Sequence, residues 1–534
     1  MASQQDHTIF QVNDLPVRTL FILSLLLSAA SAALRAQNQN ISGGLVFEGE
    51  PYLAVNPDNP QHLVVAWMGF VFGQPLSIKT KVSFNGGATW STAATLPHFG
   101  PAWHSADPSL AFGPDGSVFA CYIDYRESPD SGAVYVAKST DGGLHWANPA
   151  AAIGAFDDGD KRPVDRPWLA IDRSAGPFRG YQYITTKPAP WIPAPNRPYF
   201  VRSADGGVSW TPFRYVDTAG YLVGNFIQAP MAVPAVASDG TLHIAYPSWV
   251  LAQNLLPGFY LASSANGGQS FQYQPLRFST TGAADTLAKL GYRLLADPSD
   301  AKHLALVYPF KGGTDLDVYL LETKNGGQTW GDPVRVNDDA PDNGKMQDLV
   351  WGDFNASGDL VVAWRDRRND PGSGYAAATE IWAAVRWKDS TAFAPNVRLS
   401  DAAAPHSAVL EESGNDFMGV ALAQDTLLAV WGDVRNGRLN IWFEKRSARS
   451  NTSTGVQNLV SEPVPEIGIW PNPAGDQMSV RGEGIEEIAV FDATGHAIIR
   501  QKGLQLDLRG AAPGAYFLWV RTRQGDVWKK IIRQ

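Results

Sequence analysis

The sequence predicts an all-β protein, a ring of repeated four-stranded blades followed by a small β-sandwich, and three observations predict it. Composition is the first: 51 Gly, 37 Pro, 18 Trp, 17 Tyr and 24 Phe with 18% charged residues describe short strands joined by tight turns rather than helical bundles. The second is a motif, Ser/Thr-x-Asp/Asn-Gly-Gly-x-x-Trp/Phe, that returns about every 60 residues, a period suited to propeller blades. The third is a restart of the chain after a Pro/Glu-containing linker, Val460 to Glu466, in alternating strands punctuated by turn residues. A chain of 534 residues exceeds one ordinary core, which agrees with a repeat architecture plus an appendage.

From Arg18 the chain runs through Leu20-Phe21-Ile22-Leu23 to Ala32-Ala33, a positive charge, a short apolar run and small residues, as in a signal peptide. Cleavage could follow Ala32 or Ala33, or fall between Ala36 and Gln37. The apolar run is too short to span a membrane, so no transmembrane segment is expected in the mature chain. The boundaries are therefore leader 1–36, propeller 37–447, linker 448–466 and terminal domain 467–534.

The motif copies begin at Ser83, Ser139, Ser203, Ser264 and Thr323, with Asn85, Asp141, Asp205, Asn266 and Asn325 in third place and Trp90, Trp146, Trp210, Phe271 and Trp330 at the end. A sixth, around Trp387 to Phe393, is degenerate. The motif is a turn device: the hydroxyl and the amide or carboxylate bond backbone N–H groups, the glycines take φ > 0, and the aromatic ring plugs a core. Upstream of each copy lies a pair of apolar strands, the second ending in an aromatic, as in Leu63-Val64-Val65-Ala66-Trp67. Counting these pairs gives seven blades, with six open if one unit is an insertion. The last unit lacks an outer strand, and Gln37 to Ser42 resembles the outer strands Val334 to Asn337 and Val397 to Ser400, so it could close the ring.

These boxes and paired strands resemble the Asp-box (BNR) repeats of the sialidase superfamily across about residues 37 to 447. The tail is similar to the type A sorting domain of the type IX secretion system, through Pro471-Asn472-Pro473, Asp492-Ala493-Thr494-Gly495, Pro513-Gly514-Ala515-Tyr516 and Lys529-Lys530. An ordinary Ig-like accessory domain is the alternative there. The resemblance implies a secreted or cell-surface protein handled by that machinery, with boxes on the face opposite the binding face and a glycan or glycoconjugate as partner.

A net charge of −9 without a Lys/Arg stripe argues against nucleic acid. Cys121 stands alone, so there is no internal disulfide or thiolate metal cluster. Following three second strands come Tyr122-Ile123-Asp124-Tyr125-Arg126, Trp364-Arg365-Asp366-Arg367-Arg368 and Trp431-Gly432-Asp433-Val434-Arg435. Their Asp–Arg pairs either brace adjacent blades or offer Arg126, Arg368 and Arg435, with Asp366 and Asp433, to a carboxylate ligand. The sialidase resemblance asks for an arginine triad, a Tyr nucleophile with a Glu and an Asp acid. Tyr375, Glu380 and Asp124, or Asp107, are the candidates, although the family's Arg-Ile-Pro motif is absent from the first blade. Glu48, Glu50, His98, His104, Asp107, His406, Glu411, Glu412 and Asp416 lead into first strands and could share one rim. The run Asp157-Asp158-Gly159-Asp160 could hold Ca²⁺ through oxygen ligands but lacks the Asp-x-Asp-x-Asp-Gly order, so no cofactor is assigned. Two functions stay open: a sialidase-type glycosidase, or a non-catalytic propeller that binds a glycan or surface partner through exposed aromatics such as Trp103 or Trp191.

Overall fold

A computed structural model describes residues 38–70, 73–100, 102–126, 131–218, 220–227, 230–253, 256–278, 291–311, 315–374, 376–405, 415–449, 467–492, 497–522 and 525–534. The leader, Tyr375, His406, Glu411 and Glu412 lie outside these residues. The protein divides into two compact units, one through Arg449 and one beyond it.

The first unit is a seven-bladed propeller. Six four-stranded antiparallel sheets follow one another, from inner to outer strand Phe47–Asn56 to Ala94–Thr95, His104–Phe112 to Ala150–Gly154, Asp165–Ile171 to Arg214–Tyr215, Val233–Val236 to Gln272–Phe278, Arg293–Ala296 to Val334–Arg335, and Gln347–Phe354 to Val397–Arg398. The seventh holds Met418–Ala423, Thr426–Asp433 and Asn440–Ser447, and its outer strand is Gln39–Asn40 from the other end of the chain. Gln39 pairs with Phe443 and Asn40 with Trp442. Each inner strand lies beside the next, the last beside the first, so the ring closes and leaves no sheet edge along the axis.

Packing between blades explains the strand sequences. Trp67, Tyr122, Tyr246, Tyr308, Trp364 and Trp431, all in second strands, are excluded from solvent, each burial contributing about 1.5–3 kcal/mol. Their polar tips need partners: Trp364 Nε1 donates to Asp366 at 2.6 Å, Trp431 Nε1 to Asp433 at 2.8 Å, and Tyr122 OH to the Pro97 carbonyl at 2.7 Å. The repeated turn joins third and outermost strands. In its first copy Ser83 Oγ donates to Asn85 Oδ1 at 2.9 Å, Gly87 N–H donates to Ser83 Oγ at 2.8 Å, and Thr89 N–H donates to Asn85 Oδ1 at 2.9 Å. The same three bonds recur at Asp141, Asp205, Asn266 and Asn325. The closing aromatic wedges against the preceding blade, Trp90 on Phe443 with centroids 5.0 Å apart and Phe271 on Phe200 at 5.3 Å. Gly87 must be glycine on two counts: its φ is +83°, and a Cβ there would stand 2.3 Å from the Phe443 ring.

The second unit is a β-sandwich. One sheet orders Gly468–Trp470, Gln477–Arg481 and Gln505–Asp507; the other orders Ala497–Gln501, Ile485–Phe491, Gly514–Thr522 and Gly525–Arg533. Met478, Val480, Ile488, Val490, Leu506 and Leu518 form its core.

Candidate functional site

In a four-stranded antiparallel blade the turn after the first strand and the box turn lie at one end, so the connections entering each first strand lie at the other. That other end is the mouth. Where the first strands begin, strand pairing slips at Gly49/Tyr52, Ala106/Ser109, Asp165/Trp168 and Asp348/Trp351. Each slip is a β-bulge, a device that re-aims a side chain. The residue inside it has left-handed backbone: Glu50 at φ 53°, Asp107 at 55°, Arg166 at 49° and Leu349 at 51°. For side-chain-bearing residues such backbone costs about 1–3 kcal/mol and clusters at functional sites.

The bulges bring acids from separate blades around one guanidinium. The Arg166 guanidinium pairs with Asp416 through Nη2 and its Nε is 3.8 Å from Asp165, while the Arg166 backbone N–H donates to Asp107 Oδ2 at 2.9 Å. Lys187 pairs with the other oxygen of Asp165. Burial alone would lower the Arg166 pKa, but Asp416, Asp165, Asp107 and Glu50 hold it above the ordinary range. Glu50 is 4% exposed, and its Oε2 is sealed from solvent with no hydrogen-bond partner among the described residues. Burial, then the charges of Asp107 and Asp416, raise its pKa well above the usual carboxylate range, against the pull of Arg166. A carboxyl raised in this way beside further acids is an arrangement that acid–base chemistry uses. Tyr125, also pushed up by burial and by Asp107 and Glu50, lies nearby.

Other residues singled out in the sequence are placed elsewhere. Arg368 bonds Asp366 through Nε at 3.0 Å, Asp338 at 2.6 Å and Asn396 at 3.0 Å, with its guanidinium 4.1 Å from the Trp382 ring centre. Because Asp338 and Asn396 flank outermost strands, Arg368 faces the outer rim. Arg435 likewise bonds Asp433 at 2.6 Å, Asp401, and Asn38 Oδ1 at 3.0 Å, over Trp442. Both guanidiniums brace one blade to the next. Arg126 is exposed, and the three arginines do not converge.

Asp124 accepts from Phe99 N–H at 2.7 Å and Ser105 Oγ at 2.9 Å and meets His98 Nδ1 at 2.8 Å. Glu380 accepts from Asn369 at 2.7 Å and Trp382 Nε1 at 2.9 Å and pairs with Arg398 at 3.1 Å. They stand on the second and sixth blades, each enclosed in its own network. Glu48 is bound by Trp67 Nε1 and by Lys79 at 2.6 Å, and His104 Nδ1 accepts the Leu76 N–H at 3.0 Å. In the acidic run Asp157 accepts Gly154 N–H at 2.7 Å while Asp158 accepts Tyr199 OH at 2.9 Å, so their carboxylates serve different partners. Asp107, Glu50 and Asp416 are the residues of the expected rim that meet. Arg166, at their centre, was not singled out in the sequence, although a signal for it was there: Glu50-Pro51, Asp107-Pro108 and Arg166-Pro167 each set a charge before proline at a first-strand start.

Fold and composition define the class, an all-β propeller followed by a sandwich domain. Residues 468–534 match the family described as secretion system C-terminal sorting domain, and the chain is exported through type IX secretion to the cell surface or medium. No curated protein matches the chain. Among solved structures it is similar to a protein of unknown function from Dyadobacter fermentans, at 14% identity and TM-score 0.41 over 66% of this chain and 98% of that one. It is similar to the NanB sialidase of Streptococcus pneumoniae at 10% identity and TM-score 0.38, covering 79% and 72%. A third likeness is to the GH93 α-L-arabinofuranosidase of Fusarium graminearum, at 11% identity and TM-score 0.42 over 77% and 97%. These likenesses are weak, and the propeller assignment rests on this chain's own strand pairing. Among the described residues no helix is long and apolar enough to cross a membrane.

Proposed function

We propose that this exported propeller acts on a glycan at its mouth, with Glu50 donating the proton, Asp107 as its partner carboxylate and Arg166 holding both in place. The observation that carries this reading is the strained, bulge-built cluster of Glu50, Asp107, Arg166 and Asp416, in which burial and the neighbouring acids raise the Glu50 pKa. A carboxyl that keeps its proton at neutral pH is what protonating a glycosidic leaving oxygen requires. Support comes also from the rings on the mouth-face connections: Phe99 is 62%, Trp191 56% and Phe226 51% exposed, flat apolar surfaces of the kind that cover sugar faces. The repeated turns are read as Asp boxes with a structural role, the segment before residue 37 as a signal peptide, and exposed Arg126 as a further ligand contact.

Hydrolysis of a panel of fluorogenic glycosides, sialosides and arabinosides included, by the full-length protein and by Glu50→Gln and Asp107→Asn tests the proposal. Turnover of at least one substrate is expected, falling about 10²–10⁴-fold in Glu50→Gln with the thermal melt preserved. A second reading, a glycan-binding module without turnover, is favoured by the enclosure of Asp124 and Glu380 in internal hydrogen bonds. Glycan-array binding by the wild type that Glu50→Gln retains, with no hydrolysis anywhere, would decide for it.

A further inference from the structure

Below the mouth cluster four rings cross the axis. Tyr52 meets Trp351 edge-on at 5.5 Å, Trp351 meets Trp168 at 5.7 Å, and Trp168 meets Phe417 at 4.9 Å. On the turn-face side of this layer a cavity of about 230 Å³ is lined by Tyr52, Ala54, Ala111, Arg293, Trp351 and Asp353, among others. Strand register explains the space. The positions equivalent to Ala54 carry Ala111, Ala170, Ala235, Leu295, Asp353 and Ala421, five alanines among seven blades.

Arg293 forms the inner end of this cavity and is short of partners. Its Nη2 reaches Tyr52 OH at 3.3 Å, but Nε and Nη1, both sealed from bulk solvent, find no partner among the described residues. Its guanidinium lies 4.3 Å from the centre of the Trp351 ring and 5.0 Å from that of Trp168, a stacked geometry that orients the fork without using its N–H groups. Asp353, on the same wall, does not bond Arg293. Burial pushes its carboxyl up to about 7, against the lowering effect of the Phe354 N–H and the Arg293 charge. Burial penalises the ionised form of Asp353 and so favours its neutral acid. Together the pair presents a fixed cation and a nearly neutral acid to a space with room for a ligand. Other charged groups facing the cavity are at its outer end, where Arg173 pairs with Asp58 at 2.6 Å; Tyr52 supplies the phenol inside.

We propose that the turn-face half of the axial channel is a second binding site, for a small carboxylate that the Arg293 charge attracts and the Asp353 carboxyl hydrogen-bonds. A small carboxylate in the cavity is drawn by the Arg293 charge and accepts the hydrogen bond of the Asp353 acid on one of its oxygens. Ionised Asp353 repels it, so binding weakens as pH rises.

Titration calorimetry of the full-length protein with acetate and with benzoate, beside tryptophan fluorescence that reports on Trp351 and Trp168, tests the site. Saturable one-to-one binding is expected, about tenfold weaker at about pH 8 than at about pH 6, following the neutral fraction of a group that titrates at about 7. Arg293→Gln is expected to abolish binding, and the isosteric Asp353→Asn to keep it while flattening the pH profile, each melting as a folded protein. Absence of saturable binding of both probes at the lower pH, or an unchanged pH profile in Asp353→Asn, overturns the proposal. Because Asp353→Asn keeps the shape of the site, that second arm stands even where Arg293→Gln fails to fold.

Discussion

Two rings of residues face the mouth end of the propeller, and they differ in how they use repetition. At the ends of second strands the same pair returns, Asp366 with Arg368 and Asp433 with Arg435, and each pair ties its blade to a neighbour. At the bulge position of first strands the seven blades carry Glu50, Asp107, Arg166, Met231, Gly291, Leu349 and Phe417, no two alike. A residue pair repeated on neighbouring blades answers a need those blades share. A position where blades of one design diverge is free to answer a need of the whole ring, and here the charges collect.

The comparison breaks most visibly at the outer ring. Asp366→Ala strips the Trp364 Nε1 of its acceptor and leaves the Arg368 guanidinium with its hydrogen bonds to Asp338 and Asn396; it is expected to cost about 3 kcal/mol, read as a lower urea midpoint at unchanged slope. A loss below about 1 kcal/mol would deny the ring its bracing role. Gly87→Ala touches one box turn, combining left-handed backbone with overlap on Phe443, and is expected to cost about 2 kcal/mol. The same substitution at Gly116, which also has positive φ but meets nothing within 4 Å, should cost less, so the difference measures the inter-blade overlap.

The smallest effect sharpens the contrast, because it carries the opposite sign. A carboxyl whose folded pKa lies above its unfolded value contributes stability that is present below the unfolded pKa and lost as pH rises through the folded one. Burial and the neighbouring acids raise Glu50 in this way. Glu50→Gln should therefore melt higher than the wild type at neutral and alkaline pH, by an amount that shrinks towards about pH 4. A variant that gains stability while losing function marks a residue held for chemistry rather than for the fold. Equal melting of the two proteins across the pH range would remove Glu50 from that class.

Much of the architecture was legible in the sequence because its signals are local. A Ser-x-Asn-Gly-Gly run carries its own turn in its hydroxyl, amide and glycines, and Trp67 or Trp364 at a strand end announces a buried blade interface. Even the closing strand could be read, since Gln39 and Asn40 sit in a pattern shared with Val334 and Val397. The site was harder because its members lie on four blades and meet only once the ring is closed: Asp416 and Arg166 are 250 positions apart. Asp–Arg repeats drew attention as a ligand clamp, yet sequence spacing does not say whether a guanidinium turns to the axis or to the rim. That choice is made by Asp338 and Asp401, which follow outer strands and pull Arg368 and Arg435 outward. The bulges were written in the charge-before-proline pairs, a signal weaker than the boxes because the seven blades do not share it.

The closing strand sets an order of events. Asn38 donates from Nδ2 to the Leu399 carbonyl at 3.1 Å and to Glu444 at 2.8 Å; its backbone N–H donates to Asp401 Oδ2 at 3.0 Å, and the Asp401 N–H donates to Asn38 Oδ1 at 2.8 Å. Its partners are made some 360 to 400 residues later, so the beginning of the chain stays unpaired while six blades are built and is fastened when the seventh arrives. Ring closure is then a single long-range zipping event, slow by the measure of loop entropy, and the fastener can be undone from its N-terminal side. A protease that trims past Asn38 would unlatch the sixth and seventh blades together and turn a closed ring into an open, sticky-edged arc.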